Sequence, residues 1–330
     1  MKFLDLFAGI GGFRLGMERA GHECVGFCEV DPFARKSYKA IHDTEGEIEF
    51  HDIRQVTDQD FRQLRGQVDI ICGGFPCQAF SLAGRRLGFE DTRGTLFFEI
   101  ARAAKQIQPR FLFLENVKGL LSHDKGETFR TILTTLDELG YDVEWQVFNS
   151  KNFGVPQNRE RVFIIGQLRG AGGRQIFPFR GESAKSDFEP RIEVVGSTQG
   201  EDSHNFGQRE IVYSPNGVMG CLTATDYKGP KQVAIPVLTP DREEKRQNGC
   251  RFKTDLTGEE QCVVTPNLRI RKLTPRECWR LQGFPDWAFD KAQEVNSNSQ
   301  LYKQAGNSVT VNVIEAIAIK LEEIDGQKHN

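Results

Sequence analysis

Val68-Asp69-Ile70-Ile71-Cys72-Gly73 runs directly into Gly74-Phe75-Pro76-Cys77-Gln78-Ala79-Phe80-Ser81. The first half is a short apolar run, the pattern of a strand buried in a sheet. The second half is a loop that presents a thiol directly after a proline. Chains that alternate strands and helices place their chemistry in such loops, at the carboxyl ends of strands. A cysteine is more often an inert buried thiol. Cys77 instead stands between Gly73-Gly74 and the polar Gln78 and Ser81. A nearby cation would favour its nucleophilic thiolate.

Working outward, residues 1–166 alternate strand-like and helix-like segments. Lys2 to Phe7 reads as a strand followed by glycines, and Phe13 to Ala20 as a helix ended by Gly21. Cys24 to Glu29 is a second strand. Asp31-Pro32 then opens a helix, with Asp as its cap and Pro at the first position. Thr95 to Gln106 and Thr128 to Leu139 read as helices, and Phe111 to Leu114, Val143 to Phe148 and Arg161 to Gly166 as strands. This alternation predicts an α/β fold, a doubly wound and mostly parallel sheet covered on both faces.

Periodicity fades after Gly166. Residues 167–268 are rich in Gly, Pro, Ser and charge, with short strand-like pieces such as Gln232 to Leu238. They read as a smaller, irregular, β-rich domain. Thr274-Pro275-Arg276-Glu277 opens a helix with a capping box, and Val309 to Ile324 closes the chain as a helix. The expected division is 1–166 for a large domain, 167–268 for a small one, and 269–330 for the return to the first.

At 330 residues the chain has length for one large and one small domain. It has no apolar run long enough to span a membrane, and Asp5 falls where a signal peptide would keep its apolar core. Eight scattered cysteines without a Cys-x-x-Cys pair point to a reduced, intracellular protein with no metal site. The net charge of -3 argues against an indiscriminate nucleic-acid binder, yet permits a local basic face. Arg85-Arg86, Lys228 with Lys231, and the run from Arg269 to Arg276 are candidates, each of which reads equally well as solvated surface.

Five further features carry chemistry. Phe7-Ala8-Gly9-Ile10-Gly11-Gly12 joins a strand to a helix, either as a plain tight turn or as a loop that lets the backbone approach a ligand. It lacks the full dinucleotide fingerprint. Glu29, at the end of the second strand, suits ribose hydroxyls. Glu115-Asn116-Val117 follows an apolar strand, so Glu115 either points into the crevice or caps a helix. In Gln157-Asn158-Arg159-Glu160-Arg161, alternation puts both arginines on one face, which suits a carbonyl oxygen, a phosphate or a carboxylate, or a charged strand edge. Gly306-Asn307-Ser308-Val309 either caps the last helix or lines the crevice beside the glycine loop.

Taken in order, these motifs resemble the DNA cytosine-5 methyltransferase family, over residues 1–166 and about 270–320. The resemblance implies a Rossmann-like fold and S-adenosylmethionine as methyl donor, with S-adenosylhomocysteine as product and no metal. It implies a cofactor site from Phe7, Ala8, Gly9, Ile10, Gly11 and Gly12, with Glu29 and Val30 at the ribose end. Asp52 and Ile53 match the segment near the adenine, and Pro76, Leu96, Asn307, Ser308 and Val309 complete the pocket. Cys77 matches the nucleophile that attacks carbon 6 of a flipped-out cytosine. Glu115 matches the residue that bonds the ring nitrogen and amine, Arg161 the contact to the ring carbonyl, and Arg159 a residue beside the thiolate. Ser81, Arg85, Arg86 and Arg93 match a loop that closes over DNA, and Thr223 and Lys228 belong to the recognition segment. Where the family usually has Thr-Leu, this chain has Cys221-Leu222.

The implied protein is a bacterial or phage restriction-modification methyltransferase: a cytoplasmic monomer on duplex DNA, away from membranes. A cognate restriction endonuclease shares its system without direct contact. The RNA-methylating branch of the family, a catalytically dead DNA-binding regulator and a nicotinamide dehydrogenase are the competing readings. The recognition sequence is not legible, since no code links loop residues to bases across folds.

Overall fold

The computed structural model describes residues 1–76, 96–170, 175–179, 192, 194–197, 211–236, 252–254, 260–262 and 268–326. The apolar runs form strands β1 (Lys2–Leu6), β2 (Glu23–Cys28), β3 (Ile48–Phe50), β4 (Ile70–Gly74), β5 (Phe111–Val117), β6 (Tyr141–Asn149), β7 (Gln157–Asn158) and β8 (Glu160–Leu168). Seven of them make one sheet in the spatial order β3-β2-β1-β4-β5-β8-β6. β1 to β5 run parallel, and β8 is antiparallel to both of its neighbours.

Alternation along these strands builds two cores. Leu4, Leu6, Ile71, Leu112, Leu114 and Ile164 face the helices Asp58–Gln63, Leu96–Ile107 and Glu127–Glu138. Phe3, Ile70, Cys72, Phe113, Phe163 and Ile165 face the helices Gly12–Arg19 and Val311–Gly326. The closing helix therefore packs on the seven-stranded sheet, which is doubly wound as expected. The helix caps also form as read. The Asp31 side chain accepts from the Phe33 and Ala34 amides, and Thr274 and Glu277 make the capping box.

The winding places the site. From β1 the chain moves outward to β2 and β3, then crosses back to β4 and β5 on the other side. The direction reverses between β1 and β4, so their carboxyl ends diverge there and open a crevice.

Three features differ from the sequence reading. β6 and β8 run nine residues each, longer than their apolar stretches, because polar side chains on the edge strand β6 have a structural use. The Glu144 carboxylate accepts from the Ile176 and Phe177 amides, and Gln146 brackets Phe179. This strap covers a sheet edge and carries Ile176 and Phe177 into the large core, past residue 166. Two unpredicted helices, Asp286–Val295 and Asn298–Asn307, precede the last one. Neither has a side-chain N-cap, and Ala288, Ala292 and Ala305 supply much of their buried faces, so neither pattern stands out.

The later strands are β9 (Val194–Ser197), β10 (Ile211–Tyr213), β11 (Met219–Gly220), β12 (Gln232–Pro236), β13 (Phe252–Thr254), β14 (Glu260–Cys262) and β15 (Leu268–Lys272). Four of them form a small sheet in the order β15-β12-β10-β9. β15 straddles the 268/269 boundary drawn from sequence.

Candidate active site

A cavity of about 450 Å³ opens where β1 and β4 diverge. Phe7 leaves β1 with φ +56°, a left-handed conformation rare outside glycine and a recurrent mark of functional turns. The turn aims the Gly9 amide at Glu29, which accepts from it through Oε2 at 2.7 Å. The other oxygen, Oε1, accepts from the Asp31 amide at 2.7 Å. Burial raises the Glu29 pKa, and these two bonds oppose that shift by favouring the carboxylate. Gly11 has φ +83°, and a Cβ there would lie 2.1 Å from Nε2 of His42, so only glycine fits. Burial pushes the His42 pKa down to about 3, so the imidazole beneath the loop is neutral. Asn307, Ser308 and Val309 close this end, and Lys303 reaches Asp31 across the rim at 2.7 Å.

The opposite wall comes from β4, β5 and β8. Gly74 pairs in register with Glu115, and Val117 with Arg161. Arg161 Nε meets Glu115 Oε1 at 3.0 Å. Glu115 is buried. Burial raises its pKa, while Arg161 and then Arg159 pull the other way. Asn116 points elsewhere and donates to the Phe75 carbonyl at 2.8 Å, which pins the chain two residues before Cys77. Arg159 and Arg161 share a face, as alternation requires, and Glu160 turns outward to pair with Lys118.

The family model for C-5 cytosine-specific DNA methylases matches residues 1–323. The chain belongs to this family. Type II methyltransferase M.HpaII of Haemophilus parainfluenzae is 41% identical over 331 residues, covering 97% of this chain and 89% of the relative. Orphan methyltransferase M.SPRI of Bacillus phage SPR is 36% identical over 429 residues, covering 96% of each. Among solved structures, the Dnmt2 methyltransferase of S. pombe is alike in fold, with TM-score 0.66 at 20% identity over 98% of this chain and 99% of that one. The chain is thus a sequence-specific DNA methyltransferase that moves a methyl group from S-adenosylmethionine to carbon 5 of cytosine. No helix among the described residues is long and apolar enough to cross a membrane.

For this methyltransferase, fifteen residues named from sequence line the one cavity: Phe7, Ala8, Gly9, Ile10, Gly12, Glu29, Val30, Pro76, Leu96, Glu115, Arg159, Arg161, Asn307, Ser308 and Val309. Three do not. Gly11 faces His42. Asp52 caps the turn Ile53–Gln55 and pairs with Arg54 at 2.6 Å. Ile53 is buried in the sheet core. Thr223 does not line the cavity either, since its hydroxyl donates to Asp226 at 2.6 Å. Lys228 is exposed beside the Tyr227 ring. Cys77, Ser81, Arg85, Arg86 and Arg93 lie outside the described residues.

Sequence reasoning passed over Asp31 and Lys303 as lining residues. Lys303 stands four residues before Asn307, one helical turn, but the helix that carries both was not recognised. The apolar Phe7 and Val30, the buried Glu29 carboxylate and the cavity volume fit an adenosine-bearing ligand.

Proposed function

We propose that the two ends of this cavity divide the work of cytosine-5 methylation. Phe7, Gly9, Glu29, Val30, Asn307 and Ser308 hold S-adenosylmethionine, which supplies an electrophilic methyl group when bound. Cys77, Glu115 and Arg161 act on the cytosine. The contiguity of these ends carries the reading, since the Glu115–Arg161 pair and the Glu29–Gly9 pair face one space.

The Cys77 thiolate adds to carbon 6 of the ring, and negative charge builds up toward N3 and the carbonyl oxygen. Glu115, kept toward its neutral form by burial, donates to N3 and neutralises that charge. Arg161 fixes one Glu115 oxygen through Nε and the Glu160 carbonyl through Nη1, and its Nη2 is the donor for the ring carbonyl. Carbon 5 becomes nucleophilic and accepts the methyl group. Loss of the carbon-5 proton to water then expels the thiolate, and the N3 proton returns to Glu115. The target carbon is stacked within a duplex, so the base must swing out to reach a site this deep. Arg159 Nε is buried with no hydrogen-bond partner among the described residues, a donor left over for the thiolate. The chain is taken to act as a monomer, and a nucleophilic thiol at Cys77 calls for a reducing compartment such as the cytoplasm.

The test is base-resolution mapping of 5-methylcytosine in DNA from a methylation-free host that expresses the chain. Methylation confined to one short motif is expected. A blank map, with methyl transfer to tRNA instead, would overturn the DNA reading.

A further inference from the structure

Gln157 and Arg159 grip a single residue of the small domain. Gln157 Oε1 accepts from the Leu222 amide at 3.0 Å, and its Nε2 donates to the Leu281 carbonyl at 2.7 Å. Arg159 Nη1 donates to the Leu222 carbonyl at 3.1 Å and to Cys221 Sγ at 3.5 Å. Its Nη2 donates to the Ser308 carbonyl at 2.6 Å and the Gly306 carbonyl at 3.3 Å. A guanidinium has five donors in a fixed plane. Four of Arg159's therefore join the segment carrying Cys221-Leu222 to the turn that closes the cofactor end of the cavity. The two pieces also touch directly, because a Cβ on Gly306 would lie 2.2 Å from the carbonyl carbon and oxygen of Thr223.

We propose that Arg159 is a positioning residue that couples residues 219–226 to the Gly306–Ser308 turn. Filling the cofactor end of the cavity then stiffens the segment turned toward DNA. The inference rests on the cofactor reading above and adds to it a path between cofactor and target recognition. Neither segment can shift alone without leaving a buried charged donor unpaired. By linkage, DNA held by residues 219–226 tightens cofactor binding by the same factor. Three of the four acceptors are backbone carbonyls, so Cys221 is the acceptor that a side-chain substitution can remove.

Hydrogen exchange of the full-length protein, with and without S-adenosylhomocysteine, tests this. The reporters are the amides of Met219, Leu222 and Asp226, which are bonded to Pro156 O, Gln157 Oε1 and Thr223 O. Saturating ligand is expected to slow their exchange about tenfold in the parent protein. Arg159→Lys keeps the charge but loses the fork, and the slowing should disappear at ligand concentrations that saturate the variant. If that variant does not fold, Cys221→Ala serves instead and should lose part of the slowing, which Cys221→Ser restores. Ligand binding by calorimetry with no slowing at residues 219–226 would overturn the coupling and leave the cofactor reading intact. Failure of the parent protein to bind the ligand would overturn both.

Discussion

Asp5 lies in the central strand β1 with no exposed surface. Its nearest cation, Arg14, gives its donors to Glu18, Glu47 and the Asp43 carbonyl instead. Among the described residues, Asp5 Oδ1 has no hydrogen-bond partner, and Oδ2 has only the Tyr38 hydroxyl at 3.4 Å. Desolvation raises its pKa from 3.8 to about 8, with Arg14 opposing. The folded chain thus holds a proton that the unfolded chain releases. The stability gained from that proton is complete below the unfolded pKa and is lost as pH rises toward about 8. One proton corresponds to about 1.4 kcal/mol per pH unit, so about 2 kcal/mol is lost between about pH 6 and about pH 7.5. Asn has the shape of the neutral carboxyl and does not titrate. The stability of Asp5→Asn relative to the parent should therefore rise by about 2 kcal/mol over that interval. Urea midpoints at several pH values read the difference directly. Parallel pH profiles for the two proteins would show that Asp5 is ionised in the fold, and would refute the reasoning.

Cys77→Ala should abolish methyl transfer while S-adenosylhomocysteine still binds, measured by labelled methyl incorporation and calorimetry on one preparation. Glu115→Gln keeps an amide N–H toward N3 but no proton that can be transferred, so transfer should fall by about a hundredfold to a thousandfold, the scale of weakened stabilisation of a developing charge. Because Glu115 donates only when protonated and burial raises its pKa, parent activity should decline as pH rises through that pKa. In the Gln variant that limb of the rate profile should be absent. Lys303→Met removes the ion pair with Asp31, whose partners are 39% and 28% exposed, so cofactor affinity should fall only about two- to fivefold. The difference should shrink in high salt, as titrations at two ionic strengths would show.

The legible parts of the site were those set by local rules. Val68 to Cys72 reads as a strand because the run is mostly apolar; the strand forms over Ile70–Gly74, and its central place in the sheet follows from that burial. Arg159 and Arg161 share a face because strand side chains alternate, and Asp31 caps a helix because Pro32 follows it. What could not be read depends on partners distant in sequence or on competition between neighbours. Asp52 matches a family position, and no pattern in the sequence shows that its carboxylate also pairs with Arg54, two residues on. Arg159 reads as an active-site cation and lines the cavity, but nothing local shows that its acceptors lie 62 to 149 residues away. The helix Asn298–Asn307 shows little apolar pattern because it buries Gln304 as well as Leu301, and Gln304 bonds Ser37 at 3.0 Å across 267 residues.

The run from Arg269 to Arg276 shows why charge read along a chain overstates charge presented to a ligand. Arg271 makes a two-pronged pair with Glu277, which lowers the Glu277 pKa to about 2. Arg276 meets Asp290 and Arg280 meets Asp286, each at 2.5 Å. A phosphate approaching Arg271 would have to displace a carboxylate that also accepts from the Thr274 amide and hydroxyl. That exchange trades one charge-assisted bond for another and puts at risk the Glu277 half of the capping box on the helix Pro275–Leu281. These arginines therefore anchor the helix that leads back from β15 into the large domain. In a chain of net charge -3, phosphate contacts are expected from a few cations without such partners rather than from a broad basic face.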